Sequence, residues 1–171
     1  MNARMAPAEA LSRRGFLIAA TATGVALGFA GEAAAAAGAP AGFEPTLWYS
    51  IGRDGTVTVN IIRAELGQHV GTGVARILAD ELEADWSKVH INTVDSHPKW
   101  GLMVTGGSWS MWQSFPIYSQ AGAAGRQVLI EEGAKLLKAK ASDCTARNGR
   151  VHAGKASIGY GDIVAQGDMA R

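Results

Sequence analysis

Thr56 to Ile62 reads Thr-Val-Thr-Val-Asn-Ile-Ile, an almost unbroken β-branched run, and a glycine-rich loop, Glu65-Leu66-Gly67-Gln68-His69-Val70-Gly71-Thr72-Gly73, follows closely. β-branched residues suit a pleated strand. Beyond the loop, Val74, Ile77, Leu78 and Leu82 fall at i, i+3, i+4 and i+8, one apolar stripe of a helix, with Asp80, Glu81 and Glu83 largely off it. Strand, glycine-rich loop and helix in this order restrict the chain to folds in which helices pack on a sheet. On the N-terminal side, Leu47, Tyr49 and Ile51 alternate with Trp48 and Ser50, a period of two that predicts another strand. Arg53-Asp54-Gly55 supplies the turn of a hairpin, since glycine accepts the positive φ such turns demand.

Val89 to Val94 alternates again and predicts a third strand, with Val89 and Ile91 facing one way and His90 the other. A loop with Pro98, Gly101 and the Gly106-Gly107 pair leads to a long helix, from near Ser110 to Ser114 as far as about Lys138. Ala121, Gly122, Ala124 and Gly125 punctuate that helix. Interior glycine costs a helix about 1 kcal/mol relative to alanine, so two of them imply a neighbouring backbone packed very close. Asn148-Gly149 marks a hairpin, and Lys155 to Ile158 adds a short strand. Tyr160 to Val164 starts a further helix that the sequence does not complete. The expected fold is α/β (α+β), a mixed sheet with packed helices.

The chain begins differently. Ser12-Arg13-Arg14-Gly15-Phe16-Leu17 precedes an alanine-rich apolar stretch to about Ala30 and small residues from Ala33 to Ala37. These are the basic, apolar and cleavage regions of an export signal. The alternative, a membrane helix, needs roughly 20 predominantly apolar residues, and this run is short and rich in Ala, Gly and Thr. The arginine pair resembles the address of the twin-arginine pathway, which implies a periplasmic or exported protein that folds around a cofactor before leaving the cytoplasm. Residues 1–39 are therefore expected to be signal peptide and linker, and 40–171 the folded part. Ala39-Pro40-Ala41-Gly42 reads as the linker.

Composition excludes several classes. The 171-residue chain has a formal net charge of +1, which suggests neither nucleic acid nor an anionic membrane surface as partner. Its single cysteine, Cys144, excludes an intramolecular disulfide and a cysteine-built iron–sulfur site. A lone cysteine is either a reactive thiol or a small buried hydrophobe. His69, His90, His97 and His152 are scattered, without metal-ligand spacing. The glycine-rich loop is neither a Walker loop nor a Rossmann fingerprint. Its N–H groups at a helix start suit an anion, though the residues alone favour an ordinary helix start.

Three sets of residues together carry a resemblance. The first is Arg63 to Gly73 with Ala79-Asp80-Glu81-Leu82 and Asp85-Trp86-Ser87-Lys88-Val89. The second is Thr105-Gly106-Gly107-Ser108-Trp109-Ser110 with Gln113-Ser114-Phe115 and Ala121-Gly122-Ala123-Ala124-Gly125-Arg126, and the third Cys144-Thr145-Ala146-Arg147-Asn148-Gly149. From about Thr46 to Val164 the chain resembles the large molybdenum-binding subunit of the xanthine dehydrogenase and aldehyde oxidase family. The branch it is most similar to is the isoquinoline 1-oxidoreductase beta-subunit type, with its E-M-G-Q-G, A-E-E-L and D-W-S-K-V motifs.

The resemblance implies a molybdopterin dinucleotide held between two loops. Gly67, Gln68 and His69 would form one wall, with the Gln68 amide near the metal, and Gly107, Ser108 and Trp109 the other. His69 stands where the family usually has glycine. The family's metal is held by the pterin dithiolene, so no protein metal ligand is implied. The family reaction hydroxylates a carbon next to nitrogen or an aldehyde carbon, and passes electrons to a small [2Fe–2S] subunit. Its glutamate base lies far towards the C-terminus of the full subunit, so no catalytic residue is assigned here, and Glu65 is expected to serve the loop. The chain is expected to be the N-terminal part of such a hydroxylase, inactive alone and completed by the remainder of the large subunit. The alternative is a catalytically inactive truncated or exported binding module.

Overall fold

The computed structural model describes residues 42–169. The expected export signal lies outside them. The described chain forms strands β1 (Gly42–Thr46), β2 (Tyr49–Gly52), β3 (Val57–Ile61) and β4 (Val89–Thr93), with helix α1 (Val70–Leu82) between β3 and β4. Helix α2 (Ser110–Leu136) follows, then β5 (Cys144–Arg147), β6 (Arg150–Ala153), β7 (Ala156–Gly159) and helix α3 (Tyr160–Gln166). The mixed sheet and packed helices are those the sequence predicts.

The first sheet runs β1-β2-β3-β4. β2 pairs antiparallel with both β1 and β3, whereas β3 and β4 are parallel, from Val57 opposite Val89 to Ile61 opposite Thr93. β3, α1 and β4 thus form a βαβ unit, the connection that parallel neighbours require. Tyr49, Ile51, Val57, Val59 and Ile61 are buried on one face of the sheet. Val74, Ala75, Leu78 and Leu82 of α1 cover it, as the apolar stripe requires.

Two details of the N-terminal reading change. Gly42, read as linker, opens β1. Leu47, expected in the strand on the same side as Tyr49 and Ile51, is 46% exposed, while Trp48 is buried against Trp100 and Tyr118. The strand begins only at Tyr49, because Thr46 to Tyr49 forms the turn between β1 and β2 and sets which side chains point inward.

The glycines of α2 bring two helices into backbone contact. A methyl group on Gly122 would lie 2.6 Å from the Leu78 carbonyl oxygen of α1, and one on Gly125 would collide with the Tyr49 hydroxyl. The Tyr49 hydroxyl donates to the Ala121 carbonyl, tying β2 to α2. Gly133 admits Val151 and Ile163 in the same way, seating the three-stranded sheet β5-β6-β7 and α3 on the far half of α2. Asn148 and Gly149 both take positive φ, as a two-residue hairpin turn requires. The helix that the sequence left unfinished closes at Gln166, where the Gly167 N–H donates to the Ile163 carbonyl. Tyr160 anchors it through a 2.7 Å bond from its hydroxyl to the Leu82 carbonyl.

Candidate functional site

Because β3 and β4 are parallel neighbours, the segments that leave them emerge from the same end of the sheet. Residues 62–69 lead from β3 to α1, and residues 94–109 lead from β4 to α2. Ligands of α/β sheets collect at the carboxyl ends of parallel strands. The two loops meet there. Leu66, Gln68, His69, Val70 and Gly73 on one side and Thr105, Gly106, Ser108, Ser110 and Met111 on the other line a cleft of about 570 Å³. That volume suits a small organic ligand.

The first loop is held by its own side chains. One Glu65 carboxylate oxygen accepts from the N–H groups of Gly67 (2.9 Å) and His69 (2.8 Å), and the other from Gly71 (3.4 Å). Of the N–H groups around the helix start, those of Gly67, His69 and Gly71 are thus engaged by a carboxylate of the chain. The bond from His69, with those from Gly71 and Gly67, lowers the Glu65 pKa. Gln68 bridges the loop: Oε1 accepts from the Leu66 N–H at 2.6 Å, and Nε2 donates to the Ala64 carbonyl at 2.9 Å. Gly67 and His69 have φ of 92° and 59°. His69 thus adopts a left-handed conformation uncommon for a non-glycine residue, at the position where the sequence departs from the family pattern.

The second loop is anchored by Trp100, 8% exposed, which packs on Trp48. Beyond it, Gly106, Gly107 and Ser108 all have positive φ. The Trp109 indole lies against Gly107, where a Cβ would be 2.7 Å from Nε1. That Nε1–H is buried without an acceptor. Such orphaned donors are rare in folded proteins.

Of the residues singled out by sequence, Gln68, His69 and Ser108 share the cleft. Gly67 lines a second, smaller cavity of about 270 Å³ with Ile61, Arg63, Ile91 and Thr93, and His69 borders both. Gly107 and Trp109 do not line the cleft. The sequence reading gave Arg63 no role of its own. It is 4% exposed, and its guanidinium joins the loops: Nε donates to Ser114 Oγ (3.2 Å), Nη1 to the Val104 carbonyl (2.5 Å) and Nη2 to Gln113 Oε1 (3.3 Å). Burial lowers its pKa. The adjacent Ala64 N–H donates to Thr105 Oγ1 at 2.7 Å. A charged residue closing a β-branched strand was the available signal. Among the described residues no group of three or more His, Cys, Asp or Glu side chains is placed to hold a metal ion. Cys144 is buried, its thiol donates to the Lys140 carbonyl, and burial raises its pKa.

The Glu65 contacts have a pH signature. The folded pKa lies below the ordinary value of about 4.3, so the contribution of the charged form is complete above that value and fades as pH falls through the folded pKa. At neutral pH, Glu65→Gln should speed hydrogen exchange at Gly67 and His69 roughly fivefold after correction for intrinsic rates, because a neutral acceptor binds N–H more weakly. Wild type should approach the variant only in acid. Equal exchange at neutral pH contradicts the carboxylate's role.

With this geometry in view, comparisons with known proteins are specific. A family profile described as molybdopterin cofactor-binding domain matches residues 2–171. The chain is 55% identical over 165 residues to a membrane-bound aldehyde dehydrogenase [pyrroloquinoline-quinone] of Gluconacetobacter polyoxogenes, covering 92% of this chain and 21% of that protein. It is 31% identical over 170 residues to isoquinoline 1-oxidoreductase subunit beta of Brevundimonas diminuta, covering 91% of this chain and 22% of that protein. The crystal structure of quinoline 2-oxidoreductase from Pseudomonas putida 86 shares the fold, with a TM-score of 0.55 at 22% identity over 67% of this chain and 15% of that one. The chain thus spans about a fifth of the length of these curated relatives. It belongs to the molybdopterin cofactor-binding domain family.

Proposed function

We propose that the cleft between residues 64–70 and 104–111 is the wall of a molybdopterin site, and that the chain works as part of an exported molybdenum hydroxylase acting on an aldehyde or an N-heterocycle. The observation that carries this reading is the meeting of Gln68 and Ser108 in one cleft, on the two loops that hold the family motifs. The donor chemistry fits the cofactor. The Gln68 amide and the Ser108 and Ser110 hydroxyls suit the polar atoms of a pterin and its phosphate. Trp109, between Ser108 and Ser110 in the chain, carries the orphaned N–H. Once bound, the cofactor would supply the metal and its oxygen-transfer chemistry. The residues here would bind and orient it, and the dinucleotide form belongs to this proposal.

Further polypeptide is needed for activity on this reading. Leu66 (79% exposed), Leu102 (62%), Trp112 (68%) and Phe115 (56%) present large apolar surfaces from the two loops and the start of α2. Such exposure suits coverage by the rest of a larger subunit. Electrons would leave through a small [2Fe–2S] subunit, as the family resemblance implies; the one cysteine of this chain cannot ligate such a cluster. Aldehyde and N-heterocycle substrates follow from the names of the two relatives. The name of the first specifies pyrroloquinoline quinone, which gives a second reading of the cofactor.

The full chain, purified from a host that makes molybdenum cofactor, decides between them. Wild type should retain pterin, measured by the fluorescence of its oxidised form, together with molybdenum. Ser110→Phe, which fills the cleft, should retain roughly tenfold less with unchanged thermal unfolding. Bound quinone in place of pterin, or equal pterin in both proteins, contradicts the proposal.

Export is proposed from Arg13 and Arg14. Among the described residues no helix is long and apolar enough to cross a membrane. Replacing both arginines with lysine should leave precursor in the cytoplasm. Normal maturation of the double variant sinks the twin-arginine assignment.

A further inference from the structure

We propose that Arg63 is the positioning residue that holds the two walls of the cleft at a fixed separation and thereby sets where the Gln68 amide stands. The geometry is independent of any ligand, and its functional meaning rests on the cofactor reading above.

Arg63 lies two residues beyond the end of β3, where the first loop departs from the sheet. Its guanidinium reaches three acceptors outside the first loop. The Val104 carbonyl belongs to the second loop, and Gln113 Oε1 and Ser114 Oγ belong to the first turns of α2. The next residue repeats the link through its backbone, Ala64 N–H to Thr105 Oγ1. The Ala64 carbonyl in turn accepts from Gln68 Nε2. Gln68 therefore hangs on Ala64, and Arg63 and Ala64 hang on the second loop. A shift of Arg63 moves both walls of the cleft relative to each other.

The chemistry of the bridge argues that geometry is its purpose. All three guanidinium partners are neutral, and no carboxylate lies within ion-pair distance of Arg63 among the described residues. Glu65, two residues on, is occupied by N–H groups of its own loop. Burying a charge without a counter-ion is strongly unfavourable unless its hydrogen bonds are satisfied. Arginine answers that requirement with a planar fork of donors that reaches several dipoles at once. Lysine would keep the charge but offers a single nitrogen, which cannot span the Val104 carbonyl, Gln113 and Ser114 together. The bridge should thus depend on the fork and not on charge alone.

The test uses the full chain as wild type, Arg63→Lys and Thr105→Val. Thr105→Val leaves the guanidinium intact and cuts only the Ala64 bond, so the two variants probe the bridge from opposite ends. Hydrogen exchange at the Ala64 and Leu66 amides should accelerate about tenfold or more in both variants, while the Val59 and Leu78 amides change by less than about twofold. Retained pterin should fall by about tenfold in parallel. Protection at Ala64 and Leu66 that survives Arg63→Lys overturns the proposal. So does a loss spread equally over Val59 and Leu78, which makes Arg63 a general packing residue. Loosened loops with wild-type pterin content overturn it too. If wild type itself retains no pterin, the cofactor reading fails, and the exchange data still judge the Arg63 bridge by themselves.

Discussion

The parallel pairing of β3 and β4 is the constraint from which the candidate site follows. Parallel strands cannot be joined by a tight turn, so a crossover must lie between them, and α1 is that crossover. The same pairing makes both following segments depart from one end of the sheet. Two loops whose residues Gln68 and Ser108 are far apart in sequence become facing walls. An antiparallel β4 would send them to opposite ends and leave no shared cleft.

Close packing then fixes the walls from behind. Gly122 lets α2 approach the backbone of α1, which brings the N-terminal half of α2 beside the first loop. Tyr118 of α2 donates to the Asn60 carbonyl of β3 at 2.5 Å, and Trp48, Trp100 and Tyr118 form one aromatic cluster beneath the second loop. The first loop has few such contacts. Residues 64 to 69 are all exposed, and their order rests on hydrogen bonds of Glu65 and Gln68 and on the link to Thr105.

Much of this was legible in the sequence for identifiable reasons. The stripe of Val74, Leu78 and Leu82, the β-branched run before the glycine loop and Asn148-Gly149 are local signals, and local physics decides them. The glycines of α2 predicted a close neighbour, and Leu78 is that neighbour. What local signals omit is long-range pairing. The inward turn of Trp48 in place of Leu47 depends on β1, whose pairing with β2 no periodicity announces. The engagement of the loop N–H groups by Glu65 depends on a backbone path through the positive φ of Gly67 and His69. Arg63 escaped notice because its three acceptors come from distant segments.

Residues of the loop 64–69 line two cavities, and a cofactor bound to this protein could sit in only one of them. Crystals of the protein loaded with molybdenum cofactor, measured at the molybdenum absorption edge, would locate the metal by its anomalous scattering. The account predicts the pterin and its metal in the cleft shared by Gln68 and Ser108. A metal in the smaller cavity beside Ile61, Ile91 and Thr93, or away from both loops, would contradict it.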